Sequence, residues 1–276
     1  MGLIIKRLSS EYSAAELSAY RNIFGLLPSL VALWLSPRWH KSGRHLRVRQ
    51  WRLICMRGLI VTLAQLMFYL SLSLIAFASA TTISYSSGLF MTAFAVLLLG
   101  EHVGFIRWGA VLIGFVGVTL VVGPGRETFT LASLLPLGAA ALYALTGVTA
   151  RLIDEEVPSS LVNLYSTSVA VIGSVTLALF LGGFSLIQSA SDFAWIVTMG
   201  AFGGIAVLLL TLSYRMAEQS NLAPFSYFGI PMAFVLGWIF FGEAQIQDLF
   251  PGSILIIIGG VLIFLREHRQ RKPSKR

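Results

Sequence analysis

Arg21 stands about a third of the way into an apolar run, 14 to 35, that also carries Glu16 and Tyr20. An ionisable side chain inside such a run is expensive and usually functional. A guanidinium in that position can hold a carboxylate or a phosphate. Two structural roles compete with that one: the side chain can reach back to the outer interface, or it can pair with Glu16. A second group of polar residues lies in the run 77 to 99. Thr81, Tyr85, Gly88 and Thr92 follow one another at intervals of four, three and four, which puts them on one helical face, with Ser84 and Ser87 beside it. A face turned to lipid would not keep such a stripe. It points to a cavity or to a neighbouring helix, where hydroxyls can bond across the interface.

The run 221 to 241 carries Pro224, Gly229 and Pro231 at the depth where 77 to 99 carries Ser86, Ser87 and Gly88. Paired interruptions of this kind are the best pointer in a sequence to a binding site in a membrane. Proline frees a backbone carbonyl that can coordinate a ligand. Tyr227, Phe228 and Trp238 on the same run can stack a planar or apolar ligand, or fill the core. Gln65, Tyr69, Tyr143 and Asn163 are weaker polar candidates. Other chemistries find no support. His40, His45, His102 and His268 fall in loops or tails, and there is no H-E-x-x-H, no buried Asp pair and no metal-ligand cluster. No enzyme activity, cofactor or metal is therefore expected. No Asp or Glu lies near the centre of a run, so no proton relay is evident, and facilitated diffusion or exchange stays open.

The elements that position these residues follow from composition. Of 276 residues 56% are hydrophobic and only 12% charged, whereas a soluble domain carries about 25% charge. Apolar runs fill 14 to 35, 52 to 74, 77 to 99, 104 to 122, 129 to 150, 160 to 182, 193 to 214, 221 to 241 and 249 to 265. Most reach the roughly 20 residues that span a bilayer as helix. An all-α polytopic membrane protein with nine spans is expected, with lipid as its solvent.

The net charge of +8 is concentrated. Six Lys or Arg crowd residues 38 to 52 and six more crowd 266 to 276, both beside spans, where basic residues mark the cytoplasmic side. The tail has no aromatic residues interleaved for base stacking, so nucleic acid is not an expected partner. Eight spans separate the two basic segments, an even number that leaves both on one side, while five separate residues 38 to 52 from residues 182 to 192, so those two loops face opposite sides.

The chain also repeats itself. At a constant offset of 142, Gly58, Ser84, Tyr85, Gly100, Glu101 and Gly117 meet identical residues at 200, 226, 227, 242, 243 and 259. The basic loop 38 to 52 has as its counterpart 182 to 192, which holds no Lys or Arg. Two copies with opposite charge at equivalent loops sit upside down relative to each other. The expected organisation is a first repeat over 1–122, an inverted second repeat over 123–265 and a basic cytoplasmic tail over 266–276. Earlier in the repeat the offset becomes 145, so Gly147 and Tyr165 match Gly2 and Tyr20, and most of the mate of the span at 130 to 150 is missing. Either Met1 is an internal start of a ten-span protein, the favoured expectation, or a nine-span form begins outside. Glu101 and Glu243, each at the end of a span, are expected to cap the helix that follows.

Segments 57–125 and 228–264, with Gly100-Glu101 and Gly242-Glu243 closing equivalent spans, resemble the drug/metabolite transporter superfamily in its EamA-type, ten-span branch. The resemblance covers essentially the whole chain and implies alternating-access movement of small organic solutes such as amino acids, nucleosides or vitamins. The resulting expectation is a secondary transporter in a bacterial inner membrane, C-terminus cytoplasmic. Its partners would be a small organic solute, membrane lipid and, as a candidate, a second copy in a homodimer. A membrane scaffold or lipid scramblase is the competing class. The candidate substrate-binding residues are Arg21, Thr81, Tyr85, Ser87, Gly88, Thr92, Tyr227, Phe228, Pro231 and Trp238.

Overall fold

Lipid offers a backbone no hydrogen bonds, so an apolar segment has to satisfy its own N–H and C=O groups as helix. The computed structural model describes the chain except residues 42, 44, 45, 47, 101–104, 123–129, 155, 217–228, 243–249 and 271–276. The described residues contain helices and no strand. In chain order these are α1 (Gly2–Leu8), α2 (Ala14–Trp34), α3 (Pro37–Lys41), α4 (Trp51–Leu74), α5 (Phe77–Ser84), α6 (Ser87–Leu99), α7 (Phe105–Val122), α8 (Leu134–Ala150), α9 (Ser159–Phe180), α10 (Ala190–Met216), α11 (Gly229–Phe241) and α12 (Gly252–Gln270). Each of the nine apolar runs is mostly helical where it is described, the run 77 to 99 in two pieces.

Among the described residues five segments are long and apolar enough to cross a bilayer by themselves: Trp51–Leu74, Phe77–Leu99, Leu131–Ala150, Ser159–Phe180 and Ala190–Ser213. Their outer faces carry large apolar side chains, among them Leu59 and Leu63 of α4 and Phe202, Ile205 and Leu209 of α10. So much contiguous exposed hydrocarbon is a surface for lipid, not for water. The protein is an all-α, multi-pass membrane protein.

The chain forms two compact units, and each draws helices from both halves of the sequence. Unit 1 comprises Met1–Ser73 and Thr149–Met216; unit 2 comprises Leu74–Val148 and Ala217–Arg276.

Unit 1 is built around α2. This helix opens with a capping box, in which the Ser13 hydroxyl accepts from the Glu16 amide and the Glu16 carboxylate accepts from the Ser13 amide. Small residues let its neighbours come close, as van der Waals association in lipid requires. A Cβ on Gly204 of α10 would stand 2.8 Å from the Gly25 Cα of α2. A Cβ on Gly58 of α4 would stand 2.6 Å from the Ser166 carbonyl oxygen of α9. Two layers of apolar packing, Leu33, Ile54, Leu161 and Val162 at one level and Ala15, Ala19 and Ala178 at another, bracket the interior.

The two ends of unit 1 are tied differently. At one end the Gln50 side chain accepts from the Asp154 amide at 2.9 Å and donates to the Leu152 carbonyl at 3.2 Å, while Tyr165 donates to the Leu46 carbonyl at 2.9 Å. Arg215, near the end of α10, donates there to the Asp154 carbonyl at 2.7 Å, to Ser159 Oγ at 2.9 Å and to the Val157 carbonyl. At the other end Glu16 accepts from the Ser185 amide and, at 2.7 Å, from its hydroxyl, and Tyr12 Oη accepts from the Gln188 amide at 3.1 Å. The loops around 38–52 and 182–192 therefore lie at opposite ends. It follows that α2 and α9 run antiparallel, as do α4 and α10, although each pair occupies equivalent sequence positions.

Unit 2 packs α7 on α12 through glycines. A Cβ on Gly117 would stand 2.6 Å from the Gly252 carbonyl oxygen, and one on Gly259 2.9 Å from the Gly114 Cα. Ile83, Leu89, Ala110, Val111, Val118, Ile230 and Ile256 form its core. Helices α6 and α11 end 142 positions apart, at Leu99 and Phe241. Each is followed by a left-handed glycine, Gly100 at φ 66° and Gly242 at φ 65°. A residue with a Cβ is strained there, which accounts for the glycine in both Gly-Glu pairs. Glu101 and Glu243 lie outside the described residues.

Candidate functional site

Arg21 does not reach the interface. It is only 2% exposed, in the interior of unit 1. Nor does it pair with Glu16, whose carboxylate is occupied by Ser13 and Ser185 at the helix end. Its two hydrogen-bond acceptors are neutral: Asn22 Oδ1 at 2.8 Å and the Gly203 carbonyl of α10, also at 2.8 Å. Gly203 has to be a glycine for this approach, because a Cβ would stand 2.7 Å from Arg21 Nε.

Asn22 extends the arrangement into a network. Its Nδ2 donates to Gln65 Oε1 of α4 at 2.8 Å and to Ser174 Oγ of α9 at 3.2 Å. Ser18 Oγ, one turn earlier on α2, donates to the same Gln65 oxygen at 3.3 Å. Ser174 passes its own proton to the Ala170 carbonyl at 2.6 Å. Tyr69, one turn beyond Gln65 on α4 and so on the same face, is fully buried. Residues from α2, α4, α9 and α10 thus converge on one buried polar locus. A low-dielectric surrounding strengthens every satisfied bond in it and penalises every unsatisfied one. A separate buried bond, Asn163 Nδ2 to Ser29 Oγ at 2.8 Å, fixes α9 on α2 nearer the other end.

Two of these members, Gln65 and Tyr69, were weak candidates on residue type alone. Ser18, Asn22 and Ser174 do not stand out on residue type. The signal was present: Ser18 and Asn22 are four apart and Asn22 follows Arg21, so all three crowd one sector of an otherwise apolar helix.

In unit 2 the stripe of the run 77 to 99 is interrupted. Helix stops at Ser84 and resumes at Ser87, as the Ser86-Ser87-Gly88 cluster implied. Tyr85 and Ser86 keep helical dihedrals but use tighter bonds, Ser86 N to Ile83 O at 3.0 Å and Leu89 N to Ser86 O at 2.9 Å. A mid-helix 3₁₀ segment often marks a hinge. The hydroxyls of Thr81, Ser84 and Thr92 return to their own backbone, on Phe77, Ala80 and Gly88. Tyr85 packs against Gly229 of α11, which leaves its ring no room for a Cβ there. Ser87 and Gly88 are half-buried. The deeper face belongs to Thr82 and Ser86, whose buried hydroxyl oxygens have no hydrogen-bond partner among the described residues.

The candidates on the mate fare differently. Tyr227 and Phe228 lie outside the described residues. Pro231 lies in the described part of α11, which is helical from Gly229 onward; the residues before Gly229, Pro224 among them, lie outside the described ones. Trp238 is 59% exposed. The reason is periodicity: α11 buries Ile230, Ala233 and Gly237, and Trp238 falls on the other side.

A multi-pass helical bundle with a charged residue sealed inside one unit and a spanning helix broken in the other is a membrane transporter's construction. The chain belongs to the EamA-like transporter family, whose profile matches it twice, over residues 1–123 and 130–265. It is 29% identical over 252 residues to a riboflavin transporter of Rhizobium johnstonii, with 90% of this chain and 79% of that protein covered. It is 25% identical over 216 residues to an S-adenosylmethionine uptake transporter of Rickettsia bellii, covering 78% and 72%. A protein of known crystal structure shares the fold at a TM-score of 0.67 and 18% identity, with 98% of this chain and 96% of that one covered.

Proposed function

We propose that the protein is a secondary transporter that carries a small organic metabolite across the cytoplasmic membrane of a bacterium by alternating access. The observation that carries this reading is the double family match, joined to the antiparallel course of equivalent helices within unit 1. Two repeats, 1–122 and 123–265, inverted with respect to each other, account for both. The basic segments 38–52 and 266–276 then face the cytoplasm, and the C-terminus with them. The break at Tyr85 and Ser86 supplies a point where a spanning helix can flex, and Tyr85, Ser87, Gly88, Thr81 and Thr92 lie on or next to it. The names of the two relatives, for riboflavin and for S-adenosylmethionine, support a metabolite of vitamin or cofactor size as the cargo.

Proteoliposomes containing the full chain should accumulate at least one radiolabelled compound from a panel of riboflavin, S-adenosylmethionine, amino acids and nucleosides. Flux should be saturable and should vanish in protein-free vesicles. Absence of uptake across the panel by protein verified as folded overturns the reading, and movement of fluorescent lipid instead of solute would replace it with scramblase activity.

A further inference from the structure

We infer that Arg21 and Tyr69 form a binding site for an anionic group in the interior of unit 1, a carboxylate or phosphate on an organic solute or the corresponding free anion. The inference rests on the transporter reading for its link to cargo, but its physical basis is independent of that reading.

The basis is a mismatch in the network. Each of its amide and carbonyl oxygens already receives a bond: Gln65 Oε1 from Ser18 and Asn22, Asn22 Oδ1 from Arg21, the Gly203 carbonyl from Arg21 and the Ala170 carbonyl from Ser174. Two donors are left over. Arg21 Nε and Tyr69 Oη are both buried and have no hydrogen-bond partner among the described residues. The locus also carries a full positive charge, because the guanidinium stays protonated in proteins. No described acid of unit 1 offsets it. Glu11, Asp154, Glu156 and Asp192 lie in loops or helix ends, and Glu16 is held at the capping box.

The missing component is therefore both an acceptor and a negative charge. A water molecule would satisfy a donor but leave the charge. A neutral carbonyl would do the same. A carboxylate or phosphate oxygen supplies both, at charge-assisted strength. Tyr69 complements the arginine here: its hydroxyl can donate to an anion, and it adds no second charge that would have to be balanced.

The test measures binding, not flux, on the full chain in lipid nanodiscs. Matched pairs that differ by one anionic group serve as probes: riboflavin and its 5′-phosphate, a nucleoside and its 5′-monophosphate, an amino acid and its amide. The anionic member of at least one pair should bind at least about tenfold more tightly than its neutral mate. Arg21→Gln should bring that preference below about twofold, and Tyr69→Phe, which keeps the ring and removes only the hydroxyl, should lower it by about three- to tenfold with the melting temperature little changed. Chloride and inorganic phosphate, titrated alone and as competitors, separate the sources. Displacement of the organic anion assigns the site to any small anion, and failure to displace assigns it to the anionic end of a solute. Equal binding within every pair, with neither inorganic anion bound, overturns the inference, as does a preference that survives both substitutions. Uptake with no anion preference would remove the site and leave transport. Anion binding that depends on Arg21, without any uptake, would do the reverse.

Discussion

Asn22 Nδ2 donates to Gln65 Oε1 at 2.8 Å, and with the Ser18 hydroxyl on the same oxygen it joins α2 to α4 in the interior of unit 1. The same asparagine accepts from Arg21 and donates to Ser174, so its amide sets the position of the guanidinium relative to three helices. Both ends of the amide are needed, the oxygen toward Arg21 and the nitrogen toward Gln65.

Asn22→Asp would place a carboxylate in permanent contact with Arg21. It keeps the acceptor and loses the donor, so Gln65 and Ser174 each forfeit a bond. The expected outcome is loss of anion binding in nanodiscs, because the arginine's charge is offset internally, together with a destabilisation of about 1–3 kcal/mol for the lost donations to Gln65 and Ser174. Retained anion preference in this variant would show that the ligand does not meet Arg21.

Gly58→Ala tests the closeness of α4 and α9. The added methyl would lie 2.6 Å from both the Ser166 carbonyl oxygen and the Val169 Cβ, so the helices have to part. Unfolding in detergent should show a loss of about 1–3 kcal/mol. Gly109→Ala on α7 is the control: a Cβ there meets nothing within 4 Å, and its helix propensity favours the substitution.

Glu16→Gln should loosen the loop 182–192. The carboxylate accepts from the Ser13 amide, the Ser185 amide and the Ser185 hydroxyl, and an amide can offer acceptors to only part of that set. Hydrogen exchange at the Ser185 amide should speed up by about tenfold, the equivalent of roughly 1.4 kcal/mol of local opening. An unchanged rate would mean that the loop is held by Tyr12 and Asp192 instead.

Lys41→Cys and Ser189→Cys, each made in a Cys55→Ser background, report the orientation of the two ends of unit 1. Both positions are exposed. A membrane-impermeant maleimide added to intact cells should label residue 189 and reach residue 41 only after permeabilisation. Labelling of both from the same side would contradict the inverted arrangement.

Helix limits were legible because hydropathy and pairing in lipid act locally. The run 14 to 35 became Ala14–Trp34, and 52 to 74 became Trp51–Leu74. The interruption near Ser86 was legible for the same reason, since a serine pair before a glycine weakens helix wherever it occurs. The division into two units that each take helices from both repeats was not, because it depends on which faces meet far apart in the chain. The site shows the same limit. Periodicity placed Thr81, Tyr85, Gly88 and Thr92 on one face, yet their hydroxyls mostly turned back to their own carbonyls. Arg21 stood out by its charge alone, while Asn22 was passed over because its importance lies in its partners on α4 and α9.

Arg21 and Gly203 are separated by 182 residues. During synthesis at about 5–20 residues per second, roughly 10 to 40 s pass between the arrival of the cation in the membrane and the arrival of α10 with that carbonyl. Gln65 comes much sooner, 43 residues after Asn22. A newly inserted α2 therefore waits with its arginine half-accommodated, free meanwhile to extend toward the interface. The last helix of unit 1 to be made is the one that draws the charge inside, so the assembly of unit 1 ends with the sealing of its polar interior.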